Sequence, residues 1–216
     1  MEAAVECRWA AAEELGVPPS EARRGGVRLR IWPRMSFSVV LKGDVAMELR
    51  IEKRPAMAVT GLSRRMSCND GANFREIPAF WGECHKAGHV ESLARAMPAQ
   101  SKMAIMGICV NDFDEKKQTF TYLIGIERPA TDTARKALPA GCVDLQVPDG
   151  TWAVFSSRGA LPDAIQGVWK RIYSEWFPAS GYEHADRPDL EVYPAGDTGA
   201  ADYYCEVWVP VKKAGG

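Results

Sequence analysis

The sequence predicts an α+β fold built from a duplicated strand–helix–strand–strand unit. Three observations lead there. Short runs of apolar, β-branched and aromatic residues recur, among them MAIMGICV (103–110), FTYLIGIE (120–127) and TWAVF (151–155). Residues 161–177 place Ile165, Trp169, Ile172, Tyr173 and Trp176 at helical spacing. The same order of elements recurs in the two halves, each helix carrying tryptophan: Trp81 in one, Trp169 and Trp176 in the other. Such self-similarity points to internal duplication, against the alternative of a chance recurrence within an ordinary α+β chain.

Taken in order, residues 2–15 are rich in Ala and Glu and read as a helix, ended by Gly16, Pro18 and Pro19. Ser20 suits the N-cap of a short turn. Residues 27–46 read as an extended arm. Residues 47–62 hold two apolar stretches around Arg54-Pro55 and read as one bent strand. Residues 77–93 follow as a helix, then the strands at 103–110 and 120–127. In the second half, VDLQV and TWAVF flank a Pro-Asp-Gly turn. The helix at 161–177 is stopped by Pro178. DLEVY (189–193) and residues 203–211 are the last strands. The domain division is therefore 1–46, helix and arm, and 47–216, the duplicated unit.

The chain has 216 residues and a net charge of −1, so no global basic field is available to hold nucleic acid. Arg23, Arg24, Arg28, Arg30 and Arg34 do cluster near the start. Six cysteines form no CxxC pair, and several sit in apolar runs as small hydrophobes. The first residues lack the pattern of a secretory signal, and no apolar run is long enough to cross a bilayer. A cytoplasmic chain with no membrane partner is expected. Elbow, phosphate-loop, dinucleotide and metalloprotease motifs are missing. Cys84, His85 and His89 are the nearest approach to a metal set, but Gly88 interrupts them. The expectation is no metal, no cofactor and no assigned catalytic residue.

The stretch DYYCEVWVP (202–210) carries the functional expectation. Alternation puts Tyr203, Cys205, Val207 and Val209 on one face of a strand, and Tyr204, Glu206 and Trp208 on the other. The first set suits a core beneath helices. The second frames a carboxylate with two large rings. If that face lines a cleft, the acid awaits a donor or a cation, and each ring attracts a cation by roughly 0.5–2 kcal/mol. If it faces water, the arrangement is unremarkable. Gly125, on the last strand of the first half, would leave room for a ligand.

Several segments resemble the GyrI-like small-molecule-binding domain, the effector-binding domain of bacterial transcription regulators. They are GTWAVF (150–155), IYSEWFP (172–178), SGYE (180–183), RPDLEVY (187–193) and YCEVWVPVKK (204–213), with weaker matches at MGICV (106–110) and TYLIGIE (121–127). The resemblance spans about 47–213. It implies duplicated β-α-β-β units forming an antiparallel sheet, with a ligand cleft between the halves. It implies a pocket glutamate on the final strand, matched by Glu206, with Tyr204, Trp208 and Trp81 as walls. Met106 stands where relatives often carry an aromatic residue.

LGVPPSEARRGG (15–26) and KGDVAMELRIEKRPAMAVTG (42–61) resemble the end of an AraC-type DNA-binding domain and its junction to the effector domain. Residues 1–46 are thus expected to be a DNA-binding remnant, with DNA contacted only through a missing or truncated segment. The expected function is that of a sensing domain for a hydrophobic small molecule, cationic or polar-aromatic. A hydrolase of reactive small molecules using Glu206 is the alternative, and an inhibitory protein-binding module is the third. A homodimer is left open.

Overall fold

The computed structural model describes residues 47–101 and 103–215. The expected N-terminal helix, arm and arginine cluster lie outside these residues. Among the described residues the strands form one nine-stranded antiparallel sheet. The expected α+β class, with duplicated units in an antiparallel sheet, is what the structure shows.

The elements are β1 (Leu49–Arg54), β2 (Met57–Ser67), α1 (Asn73–Lys86), α2 (His89–Ala96), β3 (Ile105–Cys109), β4 (Thr119–Glu127), α3 (Asp132–Lys136), β5 (Val143–Val147), β6 (Gly150–Arg158), α4 (Asp163–Arg171), α5 (Phe177–Ser180), β7 (Tyr182–His184), β8 (Asp189–Tyr193) and β9 (Tyr204–Lys213). A π-helical turn, Ile172–Trp176, joins α4 to α5. Along the sheet the order is β1-β6-β9-β8-β3-β4-β2-β5, with β7 added to β9. The first unit contributes β2-β4-β3 and the second β6-β9-β8, so β3 and β8, the inner edges of the two units, meet at the centre of the sheet. There β3 pairs with β8, and Gly107 is the register partner of Glu191.

Three sequence expectations change. Residues 47–62 are two strands rather than one bent strand: β1 pairs with β6, while β2 pairs with β4 and β5. Pro55 cannot donate to a ladder, and the chain leaves one strand for the other there. The helix expected at 77–93 begins earlier and is split, because Gly88 adopts φ +70° between α1 and α2. Pro178 does not stop its helix. It is the second residue of α5, which directly follows the π-helical turn, and Gly181 at φ +68° ends the run.

Alternation along the strands gives the sheet two buried faces. One lies under the helices: Phe120, Tyr122 and Ile124 pack against α1 and α2, while Cys205, Val207 and Val209 pack against α4. The predicted two-face division of β9 is therefore seen. On the opposite face, Val59 and Val147 from one end of the sheet share an apolar cluster with Trp152 and Trp208 from the other. The sheet therefore curls, bringing β5 toward β6 and β9 across this face. Burying each such large side chain contributes about 1.5–3 kcal/mol.

Candidate ligand-binding site

The helix-bearing face opens at the central seam. Between α1 and α2 on one side and α4 on the other lies a cavity of about 480 Å³. Its floor is β3 and β8, the strands by which the two units join. Trp81, Tyr122, Trp169, Tyr193 and Glu191 line it, with Ile77 and Ile165 among the apolar walls. The lining includes no lysine or arginine.

Glu191 is the centre of the polar arrangement. Its Oε1 accepts from Trp169 Nε1 at 2.8 Å. Its Oε2 accepts from Tyr122 Oη and Tyr193 Oη, both at 2.9 Å. Trp81 Nε1 in turn donates to Tyr122 Oη at 3.0 Å. The two units thus supply matching helix tryptophans, one bonded directly to the carboxylate and one through a tyrosine. Trp81 also meets Tyr193 edge-on, with ring centroids 5.2 Å apart. Every donor to Glu191 is neutral, and among the described residues none of its partners is a lysine or arginine. Burial drives its carboxyl above the ordinary range; the three hydrogen bonds oppose that rise, and neighbouring Asp189 adds to it.

Room for this cluster comes from Gly107. A Cβ there would fall on the Tyr122 hydroxyl and 2.9 Å from Glu191 Oε2. Burial first, and then the Glu191 charge, pushes the Tyr122 and Tyr193 hydroxyls well above their usual range. Both therefore remain proton donors to the carboxylate.

Of the residues expected to form the pocket, Trp81 lines this cavity; the others lie elsewhere. Glu206 is on the helix-free face and is already neutralised. Arg50 donates to it from Nη1 at 2.8 Å and Nη2 at 3.2 Å, Tyr204 Oη at 2.6 Å and Trp208 Nε1 at 2.8 Å. Burial alone would raise its carboxyl, but Arg50, Tyr204 and Trp208 outweigh burial and hold it below the ordinary value. The flanking rings have their cations too: Arg158 stands 4.8 Å from the Tyr204 ring and Arg54 4.6 Å from Trp208. Trp208 instead lines a smaller cavity of about 370 Å³ with Arg54 and Trp152.

Met106 is fully buried, pointing away from the helices into the apolar cluster of the curled face. Gly125 faces Gly61 and Met106 in the ladder. The space its missing side chain leaves is taken by Leu123 and by Val59 rather than left for a ligand. His85 bonds Glu91 at 3.3 Å on the surface. Among the described residues no cluster of His, Cys, Asp and Glu is placed to hold a metal ion, and no helix is long and apolar enough to cross a membrane.

Glu191 is not among the residues expected to form the pocket, although RPDLEVY carries part of the family resemblance. The available signal was alternation: Asp189, Glu191 and Tyr193 share one face of a short strand, and Leu190 and Val192 the other.

A family model described as GyrI-like small molecule binding domain matches residues 47–212. No curated protein shows significant similarity to the chain. Among solved structures, a protein described as a bacterial transcription regulation protein of Staphylococcus aureus MU50 is 21% identical, with 77% of this chain and 99% of that chain covered at a TM-score of 0.64. SAV2435 bound to tetraphenylphosphonium is 20% identical, with 77% and 94% covered and a TM-score of 0.65. An integron cassette protein of Vibrio cholerae is 18% identical, with 76% and 95% covered and a TM-score of 0.55. These likenesses are of fold.

Proposed function

The chain belongs to the GyrI-like small-molecule-binding family, and we propose that its seam cavity binds a hydrophobic organic cation with Glu191 as counter-ion. One observation carries this reading. Glu191 lies on the floor of an aromatic cavity, held by three neutral donors and approached by no lysine or arginine among the described residues. A carboxylate in such a place is costly while unpaired, and a ligand cation relieves that cost. The rings of Trp81, Trp169 and Tyr193 add cation–π attraction and cover for apolar groups.

The tetraphenylphosphonium held by SAV2435, a protein of similar fold, supports a bulky cation as the ligand class. The likeness to a bacterial transcription regulation protein supports a sensing role. In that role, ligand occupancy would shift the conformational balance of an attached DNA-binding segment.

Titration with tetraphenylphosphonium and with tetraphenylborate, an anion of the same shape, tests the reading. Binding of the cation alone is expected, weakened at least about tenfold in Glu191→Gln, equivalent to ~1.4 kcal/mol. Equal affinity for both ions, or a Glu191→Gln protein that binds as wild type does, would overturn it. Ligand recovered unchanged by mass spectrometry is expected; its consumption would favour the hydrolase reading.

A further inference from the structure

The cavity holds a second acid. Asp189 lies two residues before Glu191 on β8, so both side chains leave the strand on the helix-bearing face. Both line the same cavity. Strand rise sets their Cα atoms roughly 7 Å apart. Asp189 is 4% exposed, and the imidazole of His184 lies against it, with Nε2 3.0 Å from Oδ1. His184 Nδ1 accepts the Asp186 backbone N–H at 3.1 Å, so the ring proton sits on Nε2 and points at Asp189. That fixes the direction of the carboxylate. Across the ladder Asp189 faces Cys109, and Glu191 faces Gly107, so neither meets a basic residue on the neighbouring strand. The lining contributes one basic side chain, His85, and Glu91 is bonded to it. One positive centre placed against Glu191 leaves the second acid uncompensated.

We propose that the preferred ligand class of this cavity is a rigid aromatic dication, and that Asp189 is the residue that selects it over monocations. The proposal rests on the reading of the cavity as a cation receptor. Glu191 receives one positive centre between Trp169 and Tyr193. Asp189 receives the second, further along β8 beside Cys109. A flat ligand suits the slot between α1 and α4, because indole and phenol rings form its walls. A rigid spacer of matching length also avoids the ordering cost of a flexible diamine.

The test compares two probes of nearly the same shape. One is 1,1′-dimethyl-4,4′-bipyridinium, with two charges; the other is N-methyl-4-phenylpyridinium, with one. Calorimetric titration of the wild-type chain should show the dication binding at least about tenfold tighter. In Asp189→Asn, which keeps an oxygen for His184, that advantage, read as the ratio of the two affinities in the same variant, should fall to within about twofold. Glu191→Gln should weaken both probes. If the monocation binds and the dication binds no tighter, the role of Asp189 is refuted and the cation-receptor reading survives. If neither probe binds, and tetraphenylphosphonium also fails, the cation-receptor reading itself falls. The wild-type ratio alone decides the matter should Asp189→Asn not fold.

Discussion

Gly107 and Glu191 are register partners across the β3–β8 seam, and the missing side chain of one makes room for the hydrogen bonds of the other. The units run β2-β4-β3 and β6-β9-β8, so these two residues occupy corresponding places in the duplicated halves. One half supplies the charge and the other supplies the space. Gly107→Ala puts a methyl group on the Tyr122 hydroxyl. Overpacking of this kind costs about 1–3 kcal/mol. A lower melting temperature and weaker cation binding are expected together.

Glu191 gives the cavity a pH dependence. Its folded carboxyl titrates above the ordinary value because burial disfavours the charged form. The folded chain therefore holds this proton more tightly than the unfolded chain. The contribution to stability is largest below the unfolded value and declines as pH rises through the window up to the raised folded value. Cation affinity runs the other way and falls as acid protonates Glu191. Calorimetric titration from neutral pH downward should show that loss, and Glu191→Gln should flatten it.

Glu206 should behave as a structural residue. Its carboxyl is held low, so its contribution to stability is present above the unfolded value and lost as pH falls through the folded one. Glu206→Ala leaves the Tyr204 and Trp208 donors without their acceptor, at a cost of about 1–3 kcal/mol. Arg50 is 46% exposed, so the loss of its ion pair adds little. Melting should shift, while tetraphenylphosphonium affinity should change by less than about twofold.

Met106→Ala separates packing from binding in the same way. Met106 has no exposed surface and lies on the face away from the cavity. Truncating a buried methionine costs about 2–5 kcal/mol. Denaturant unfolding should show that loss, with cation affinity at the wild-type level if the chain remains folded.

Trp169→Phe removes the donor to Glu191 Oε1 and keeps an aromatic wall. With one fewer hydrogen bond opposing burial, the carboxyl should titrate higher still. The pH at which cation affinity falls should therefore move upward relative to wild type. Trp81→Phe should move it less, because Trp81 reaches Glu191 only through Tyr122.

Most of the architecture was legible because it is written in local pattern. The spacing of Ile165, Trp169 and Ile172 gives α4 and the turn that continues it, and alternation at 203–209 gives both faces of β9. Positive-φ glycines were harder to place, so α1 and α2 merged in the sequence reading. The site was less legible. Two glutamates stand on strands beside aromatic residues, and alternation says which neighbours share a face, not which face carries the helices. The pairing of Glu206 is not legible locally, because Arg50, its partner, is 156 residues away and arrives only when β1 pairs with β6. Glu191 depends on Gly107, Tyr122 and Trp169, which come together only once the two units meet.

The central pairing of β3 with β8 also limits stoichiometry. The acid comes from one half and its room from the other, so neither half forms the site alone. A chain of this design should hold a single guest straddling the join, so that occupancy ties one half to the other as a bolt ties two plates.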